Sequence, residues 1–246
     1  MLSVMQDAQK LDTQDIYLNK NCVDRISSGK ILDIYKSVLS NVPDAFDSVS
    51  TPSLLDIGCG NGELLNHFKT LKSSYKLSGI DLNNDLCEFA KQHLRESAEI
   101  SCTSVSQYLP NTAFQVVTCC GVLPCFNSLS VFFNELPRLL VTNGILILNQ
   151  PMSRHNFTLK PEWRFDGENY DRNGWTLHSF QSVVGECLEA GFELIHHENV
   201  NVSECLHENP SRPSAQFNIT SVDGSKYYMN GFGLFFDIKT MVFRKM

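Results

Sequence analysis

The most informative stretch of this sequence runs Leu54-Leu-Asp-Ile-Gly-Cys-Gly-Asn-Gly-Glu-Leu-Leu65. The stretch begins inside Ser53–Ile57, a short apolar run between Pro52 and Gly58. An apolar run bounded in this way predicts a buried strand. A helix is predicted from Gly62 onward, because the apolar residues after it recur at helical spacing. The chain therefore passes from a strand to a helix through a glycine loop, and the carboxyl end of a strand is where open α/β sheets bind ligands.

The three glycines of this loop have separate physical roles. Gly58 and Gly60 permit backbone angles that a Cβ atom disfavours, and they let a ligand approach the backbone closely. Gly62 lets the helix begin tight against the strand, so that the N–H groups of its first turn point above the sheet edge. Cys59 and Asn61 lie between the glycines and belong to the same predicted binding loop, with Cys59 as a small filler.

Two acidic residues near the loop indicate the charge of the ligand. Asp56 lies just before the first glycine, and Asp81 ends the next predicted strand, Leu77–Asp81. The spacing G-x-G-x-G differs from the G-x-G-x-x-G that holds a pyrophosphate. A carboxylate at Asp81 accepts hydrogen bonds from ribose hydroxyls in this topology, whereas one at Asp56 suits a cation better than a phosphate. The sequence thus predicts a site for an adenosine ribose joined to a positively charged group.

Strands and helices alternate through the rest of the chain. Further strands are predicted at Ile100, Phe114–Cys120, Ile145–Asn149 and Phe192–Val202, and helices at Asp85–Arg95, Ser128–Leu140 and Ser179–Ala190. We expect Pro137 to kink or end its helix, and Asn143-Gly144 to stop it before the next strand. The alternation predicts an α/β fold, a Rossmann-like doubly wound seven-stranded sheet that is mostly parallel. The last strand, Leu234–Arg244, follows no helix and is expected to be antiparallel.

The ends of the chain and two long connections depart from this alternation. Residues 1–52 are predicted to form a helical segment that covers the binding site, and residues 53–246 the main domain. Connections at about 151–178 and 203–231 exceed the roughly 12–15 residues of a plain loop, and both carry aromatic side chains. We expect them to cover the substrate, and Asp223-Gly224 in the second predicts the turn of a β-hairpin.

The stretch from Asp56 to Gly62, followed by Ile80-Asp81-Leu82, resembles class I S-adenosylmethionine-dependent methyltransferases. The similarity covers roughly Leu54 to Leu148 and, more loosely, the last strands. It implies S-adenosylmethionine as the cofactor and methyl transfer as the reaction. It also implies that Asp81 binds both ribose hydroxyls, that Leu82 flanks the adenine and that the glycine loop lies beside the methionine half.

The resemblance extends to other predicted cofactor residues and shows two departures. Cys120-Gly121, at the end of the fourth strand, corresponds to the border of the methionine moiety. Ser104-Val105 stand where many members carry an Asp that receives the adenine amino group, and Gln115 stands where the family commonly has Asp. Tyr17 lies in the N-terminal segment that folds over the cofactor in this family.

Composition points to a small-molecule acceptor. The 20 basic residues against 27 acidic ones give a net charge of −7, and the basic residues form no cluster of the kind that holds nucleic acid. No apolar run approaches the roughly 20 residues that span a bilayer. An alcohol acceptor needs a base, for which His155, His178 and Tyr170 are the catalytic candidates, while a carboxylate or an amine does not require one. The oligomeric state is left open.

The nine cysteines are odd in number and include no C-x-x-C, so we expect reduced thiols and a cytoplasmic location. No cysteine and histidine spacing of a metal site occurs, and no metal is predicted. Pro124-Cys125 follows the fourth strand, where cytosine C5-methyltransferases place a Pro-Cys nucleophile, but the chain lacks a basic target-recognition region. We therefore interpret these cysteines as small apolar residues.

Two other functions stay open. One is an NAD-binding oxidoreductase on a similar fold, which the G-x-G-x-G spacing and Asp56 disfavour. The other is a non-catalytic methyltransferase-like subunit that binds the cofactor or a partner, which is consistent with the departures at Gln115 and Ser104. Calorimetric titration with NAD and with S-adenosylmethionine separates the first from a methyltransferase.

Overall fold

The computed structural model describes residues 30–42, 51–71, 74–160, 162–163, 172–173, 176–202, 216–220, 222, 226–230 and 234–246. Tyr17, Tyr170 and most of the two long connections lie outside these residues. The predicted hairpin turn at Asp223-Gly224 also lies outside them.

The helices of the described residues are α1 Asp33–Ser40, α2 Glu63–Leu71, α3 Asn84–Leu94, α4 Leu129–Phe133, α5 Leu136–Leu139 and α6 Phe180–Glu189, with 3-10 turns at Arg95–Ser97 and Leu123–Cys125. The strands are β1 Ser53–Ile57, β2 Lys76–Asp81, β3 Ala98–Cys102, β4 Phe114–Cys120, β5 Leu140–Ser153, β6 Glu162–Trp163, β7 Arg172–Asn173, β8 Phe192–Asn199, β9 Gln216–Thr220, β10 Lys226–Asn230 and β11 Phe235–Lys245. Strands β6 and β7 pair with each other, and the remaining strands form one sheet.

The main sheet has the order β3-β2-β1-β4-β5-β11-β10-β9, and β8 pairs with the later part of β11. Strands β1 to β5 are parallel, whereas β11 is antiparallel to both β5 and β8. Seven of these strands, β3-β2-β1-β4-β5-β11-β8, confirm the predicted Rossmann-like sheet with an antiparallel last strand. The hairpin β9–β10 is also confirmed, and β10 adds to the edge of β11 at its start.

Two apolar cores lie on opposite faces of this sheet. On one face Val117, Leu146 and Leu148 are buried in a core that includes Phe132 of α4 and Val183 of α6. On the other face neighbouring residues of the same strands pack in a core that contains Val38 of α1 and Phe68 of α2. Because successive side chains of a strand point to opposite faces, both cores need apolar residues, which explains the unbroken apolar runs in β4 and β5.

The segment between β4 and β5 confirms one prediction and corrects another. Helix α4 ends at Phe133 and α5 begins at Leu136 with Pro137 in its first turn, where a proline is tolerated. The prediction that Asn143-Gly144 stops this helix was wrong, because β5 already begins at Leu140. These two residues lie inside β5, where the register with β4 shifts and Asn143 has a φ of 61°.

Candidate active site

The glycine loop lies at the carboxyl ends of β1 and β2. The N–H groups of Gly58 and Cys59 both donate to the carbonyl of Ile80, at 2.8 and 3.0 Å, so the loop is fastened to the end of β2. Gly58 and Gly60 have φ angles of 72° and 53°, in the left-handed region that favours glycine. The loop therefore takes the conformation that its glycines predict.

The three glycines of the loop have different surroundings. A Cβ at Gly58 would lie 2.2 Å from Cγ2 of Val122, and one at Gly62 would lie 2.7 Å from Cδ1 of Leu94. A Cβ at Gly60 would meet nothing within 4 Å. Gly58 and Gly62 are thus needed for close packing, whereas Gly60 borders open space that a ligand can enter.

The two residues between the glycines have structural contacts. The Cys59 side chain is buried and packs on β2, since a Cβ at Gly79 would lie 2.8 Å from its sulfur. Oδ1 of Asn61 accepts from the N–H of Glu63 at 3.1 Å, at the start of α2. Both contacts support the loop itself, and that of Cys59 agrees with a small filler.

Asp81 joins three parts of the site. Its Oδ2 accepts from the N–H of Gly60 at 2.9 Å, and its Oδ1 accepts from the N–H of Asn83 at 2.8 Å. The N-cap of α3 is Asn83, whose side chain accepts from two N–H groups of the first turn, so Asp81 is not needed as a cap. Each oxygen of a carboxylate accepts about two hydrogen bonds, and both therefore retain acceptor capacity in a fixed orientation.

Asp56 is buried at the end of β1, directly before the loop. Burial raises the pKa of its carboxyl to about 7, although Thr118 donates a hydrogen bond to Oδ1 at 2.8 Å, and the nearby Asp81 raises the pKa further. A positive charge close to these two acids would favour the ionised form of Asp56. The site is therefore suited to a cationic ligand.

A crevice lies above the carboxyl ends of β1, β2 and β4. The loops at this sheet edge are residues 56–62, 81–83, 102–105 and 120–125, and none of them contains Lys or Arg. A pyrophosphate would meet two carboxylates here and no cation from these four loops. Their charge thus agrees with the predicted sulfonium.

The residues predicted to contact adenine follow β2 and β3. Leu82 is 59% exposed and Val105 is buried. The exposure of Leu82 agrees with a position at the edge of the crevice. The backbone carbonyl of Ser104 accepts from Gln107 and Tyr108 in a turn, and its hydroxyl also accepts from the N–H of Gln107 at 3.3 Å. The hydroxyl of Ser104 thus stabilises this turn.

Cys120 and Gly121 lie where β4 ends, next to the glycine loop. The N–H of Gly121 donates to the carbonyl of Asn149 at 2.9 Å, and its φ is 70°. Burial raises the pKa of the Cys120 thiol well above its ordinary value, and the nearby Asp56 adds to this effect. A thiol with a raised pKa is a poor nucleophile, which agrees with a structural role.

The candidate bases occupy different environments. His178 is buried, and its Nε2–H donates to the carbonyls of Leu123 and Phe126 at 3.2 and 3.0 Å. Because carbonyls only accept, Nε2 carries the proton here, and a base role at His178 would need Nδ1. Burial also lowers the pKa of this imidazole. His155 is exposed, and its ring stacks on Phe157 at a centroid distance of 5.3 Å.

Residues 55–148 match a family model described as methyltransferase domain. This segment contains β2 to β4, most of β1 and β5, and the loops that line the crevice. This segment of the chain is therefore a methyltransferase domain. S-adenosylmethionine is the cofactor that this domain indicates, and the site fits it through the free acceptor capacity of Asp81 and the negative charge of Asp56 and Asp81.

Known proteins resemble the methyltransferase domain at low identity. A malonyl-[acyl-carrier protein] O-methyltransferase of Acetivibrio thermocellus is 28% identical over 101 residues, which are 41% of this chain and 36% of that protein. The chain thus matches about a third of that relative's length. Among solved structures, the amino pentose methyltransferase CalS10 of Micromonospora echinaspora, with S-adenosylmethionine bound, superposes with a TM-score of 0.56 and 13% identity over 92% of this chain and 96% of its own.

The [4+2]-cyclase SpnF superposes with a TM-score of 0.58 and 17% identity, over 79% of this chain and 76% of its own. CalS10 and SpnF share the fold with this chain, although one is named a methyltransferase and the other a cyclase. The fold alone therefore does not determine the reaction.

The two departures from the family pattern have different consequences in the methyltransferase domain. Oε1 of Gln115 accepts from the N–H and the hydroxyl of Ser53, at 2.8 and 2.7 Å. Ser53 begins β1, so this contact lies at the end of the strand opposite to the crevice. The change at Gln115 thus leaves the crevice intact, whereas Ser104 borders it.

Sequence reasoning missed Gln150, which is fully buried near the end of β5. Its amide donates to the carbonyl of Cys119 at 2.7 Å and accepts from the N–H of Leu123 at 3.1 Å. The available signal was a long polar side chain directly after the apolar strand Ile145–Asn149. A buried polar side chain at a strand end must find partners, and here they lie on the loop after β4.

The described ranges contain no helix long and apolar enough to cross a membrane. They also contain no group of three or more His, Cys, Asp or Glu side chains that could hold a metal ion.

Proposed function

We propose that this protein transfers a methyl group from S-adenosylmethionine to a small-molecule acceptor. The observation that carries the proposal is the Asp81 carboxylate, which the N–H groups of Gly60 and Asn83 hold beside an open glycine turn. A vicinal diol is well bound by an oriented carboxylate, because charged acceptors form the stronger hydrogen bonds. Asp81 thus supplies the ribose site that the cofactor needs.

The electrostatics of the crevice support S-adenosylmethionine over NAD. The charge of Asp81 raises the pKa of the Asp56 carboxyl, and an added cation would oppose this effect. The diphosphate of NAD would instead add negative charge at the same place. The charge of the crevice thus favours a methyltransferase over an oxidoreductase.

S-adenosylmethionine supplies, when bound, a methyl group activated by a sulfonium. The residues of this chain would orient and enclose the cofactor. Asp81 would hold the ribose, Gly60 would leave room for the methionine half, and Leu82 would cover the adenine. Alignment of donor and acceptor contributes roughly 7–11 kcal/mol to the lowering of a barrier. Binding and orientation by these residues therefore account for much of the expected catalysis.

The acceptor is proposed to be a small molecule, and the protein to act in the cytoplasm. The net charge of −7 disfavours nucleic acid, and CalS10, which shares the fold, is named for an amino pentose. The described cysteines, Cys59, Cys87, Cys102, Cys119, Cys120, Cys125 and Cys187, are free thiols, as in a reducing compartment. His155, exposed just after β5, and Tyr170 remain our proposed bases for an alcohol acceptor, with Nδ1 of His178 as the third.

Two measurements test this function in order. Isothermal titration with S-adenosylmethionine, S-adenosylhomocysteine and NAD should show binding of the first two and none of NAD. Transfer of a labelled methyl group from S-adenosylmethionine to a fractionated metabolite extract should then identify the acceptor. Binding of NAD alone would contradict the proposal.

A non-catalytic subunit is the second candidate, and the departure at Ser104, which borders the crevice, favours it. Tight binding of S-adenosylmethionine without label transfer to any fraction would support this candidate. Transfer that depends on Asp81 would exclude it.

A further inference from the structure

Two buried polar side chains hold the segment that follows β4. Gln150 binds it from β5, through the carbonyl of Cys119 at 2.7 Å and the N–H of Leu123 at 3.1 Å. His178 binds it as well, by donating to the carbonyls of Leu123 and Phe126 at 3.2 and 3.0 Å. Leu123 is thus bonded on both its N–H and its carbonyl by side chains from two different parts of the chain.

Backbone groups complete this attachment. The N–H of Gly121 donates to the carbonyl of Asn149 at 2.9 Å, and the N–H of Thr176 donates to the carbonyl of Pro124 at 3.0 Å. Residues 121–126 are therefore fastened to β5 and to residues 176–178. A connecting segment usually satisfies its polar groups with water, so this set of protein partners indicates a fixed conformation.

The segment is also in contact with the glycine loop. Val122 occupies the space over Gly58, because a Cβ there would lie 2.2 Å from Cγ2 of Val122. The next residue, Leu123, is the one that Gln150 and His178 hold. A displacement of Leu123 would therefore move Val122 and change the packing of the loop that the cofactor needs.

We propose that Gln150 and His178 are positioning residues of the cofactor site. They hold Leu123 so that Val122 stays on Gly58 and Gly121 stays open toward the crevice. In this role His178 acts as a hydrogen-bond donor through Nε2, so only its Nδ1 could take a proton from the acceptor. The inference rests on the proposed function, since the site that is positioned is the cofactor site.

A pair of substitutions at His178 separates donation from space filling. His178→Gln keeps a donor close to the position of Nε2 but loses the ring, whereas His178→Phe keeps a ring and loses the donor. We expect His178→Gln to bind S-adenosylhomocysteine with nearly wild-type affinity and His178→Phe to bind it about tenfold more weakly, because two buried hydrogen bonds are lost. If the ring of His178 only fills space, His178→Phe should bind S-adenosylhomocysteine more tightly than His178→Gln. That result would overturn the proposal.

Hydrogen exchange of the ligand-free protein gives a readout besides binding. Exchange of the amides in residues 121–126 should be faster by on the order of tenfold in His178→Phe and should return toward wild type in His178→Gln. Gln150→Met, which keeps most of the volume and removes both bonds, is the second variant if His178→Phe does not fold. Unchanged exchange in a folded Gln150→Met or His178→Phe protein would overturn the proposal.

His67→Phe is the matched control. His67 is also buried, on α2, but its Nε2 has no hydrogen-bond partner in the described part of the chain. This variant should leave both the exchange of residues 121–126 and the affinity for S-adenosylhomocysteine unchanged. Wild-type protein that does not bind S-adenosylhomocysteine would instead contradict the proposed function, while its exchange data would still show whether the two residues hold the segment.

Discussion

The N–H of Gly60 donates to Oδ2 of Asp81 at 2.9 Å, which joins the turn after β1 to the acid that ends β2. The other oxygen of Asp81 is held by Asn83 at 2.8 Å, at the start of α3. The carboxylate is therefore oriented before any ligand arrives. Pre-orientation of this kind lowers the entropic cost of binding.

Replacement of Asp81 should weaken cofactor binding. Asp81→Ala removes a charged acceptor and leaves two N–H groups without their partner, so we expect the affinity for S-adenosylhomocysteine to fall by at least about 1–3 kcal/mol. Isothermal titration measures this change. Asp85→Asn is the control, because Asp85 is an exposed acid in the first turn of the neighbouring helix. Equal affinities for wild type and Asp81→Ala would remove Asp81 from the cofactor site.

Gly58→Ala and Gly60→Ala should differ in stability although both residues have positive φ. The conformational cost of a Cβ in this region, roughly 1–2 kcal/mol, is common to both variants. Only Gly58→Ala adds a clash, at 2.2 Å from Val122, so it should lose more free energy of unfolding in urea denaturation. Gly60→Ala should fold and should instead weaken cofactor binding, because its Cβ enters the space next to Asp81. If Gly60→Ala were the less stable variant, this account of the loop would be wrong.

The affinity for S-adenosylmethionine should depend on pH through Asp56. The pKa of this carboxyl is about 7 in the ligand-free protein, and a sulfonium favours the ionised form. Binding of S-adenosylmethionine should therefore weaken as the pH falls from 8 to 6, relative to binding of the uncharged thioether S-adenosylhomocysteine. Titrations of both ligands across this range measure the ratio. Asp56→Asn should make the ratio independent of pH, and a ratio that varies equally in this variant would exclude Asp56 as the cause.

The same carboxyl should contribute less to the stability of the ligand-free protein at neutral pH than at acidic pH. Its pKa is about 7 in the fold against an ordinary value of 3.8, so the unfolded chain loses the proton first as the pH rises. The contribution of Asp56 to stability is thus present below about pH 4, decreases between about pH 4 and 7 and is absent above. Asp56→Asn should raise the free energy of unfolding at pH 8 by up to about 4 kcal/mol. If Asp56→Asn instead lowered the free energy of unfolding at pH 8, burial of the ionised Asp56 carboxylate would not be destabilising.

The sheet was predictable from sequence because its parallel strands are buried on both faces. Residues such as Leu54, Val117 and Leu146 form apolar runs that only such strands need, and glycine or acidic residues end them. The start of β5 was not predictable, because Asn143-Gly144 has the composition of a turn. Its positive φ serves a bulge inside the strand, which depends on pairing with β4.

The glycine loop and the two acids of the proposed cofactor site could be found from the sequence, because they lie within a short part of the chain. The roles of Gln150 and His178 could not, because their partners lie 27 to 55 residues away in sequence. A histidine beside a long connection has the same local pattern whether it serves as a base or as a donor to a carbonyl. Only the contacts with Leu123 and Phe126 show that Nε2 of His178 is a donor.

Helix α1 is attached to the sheet by a chain of hydrogen bonds that should be energetically coupled. Asn149 donates to Oγ1 of Thr240 at 2.8 Å, the hydroxyls of Thr240 and Ser37 are 2.6 Å apart, and Ser37 donates to Glu198 at 2.5 Å. Ser37 has a single hydroxyl proton, which goes to Glu198, so Thr240 must donate to Ser37. The donor and the acceptor of each of these three hydrogen bonds are thereby assigned.

Thr240→Val keeps the shape of the buried side chain but removes the donor to Ser37 and the acceptor for Asn149. We expect a loss of about 1–3 kcal/mol in the free energy of unfolding, because buried polar groups lose their partners. Ser37→Ala should cost less in the Thr240→Val background than in wild type, since their shared bond is already absent. Urea denaturation of both single variants and the double variant measures this coupling, with Ser40→Ala, an exposed serine of α1, as the control. Additive losses would mean that Thr240 and Ser37 stabilise the protein independently, and the attachment of α1 would then rest on Val38 and its apolar neighbours.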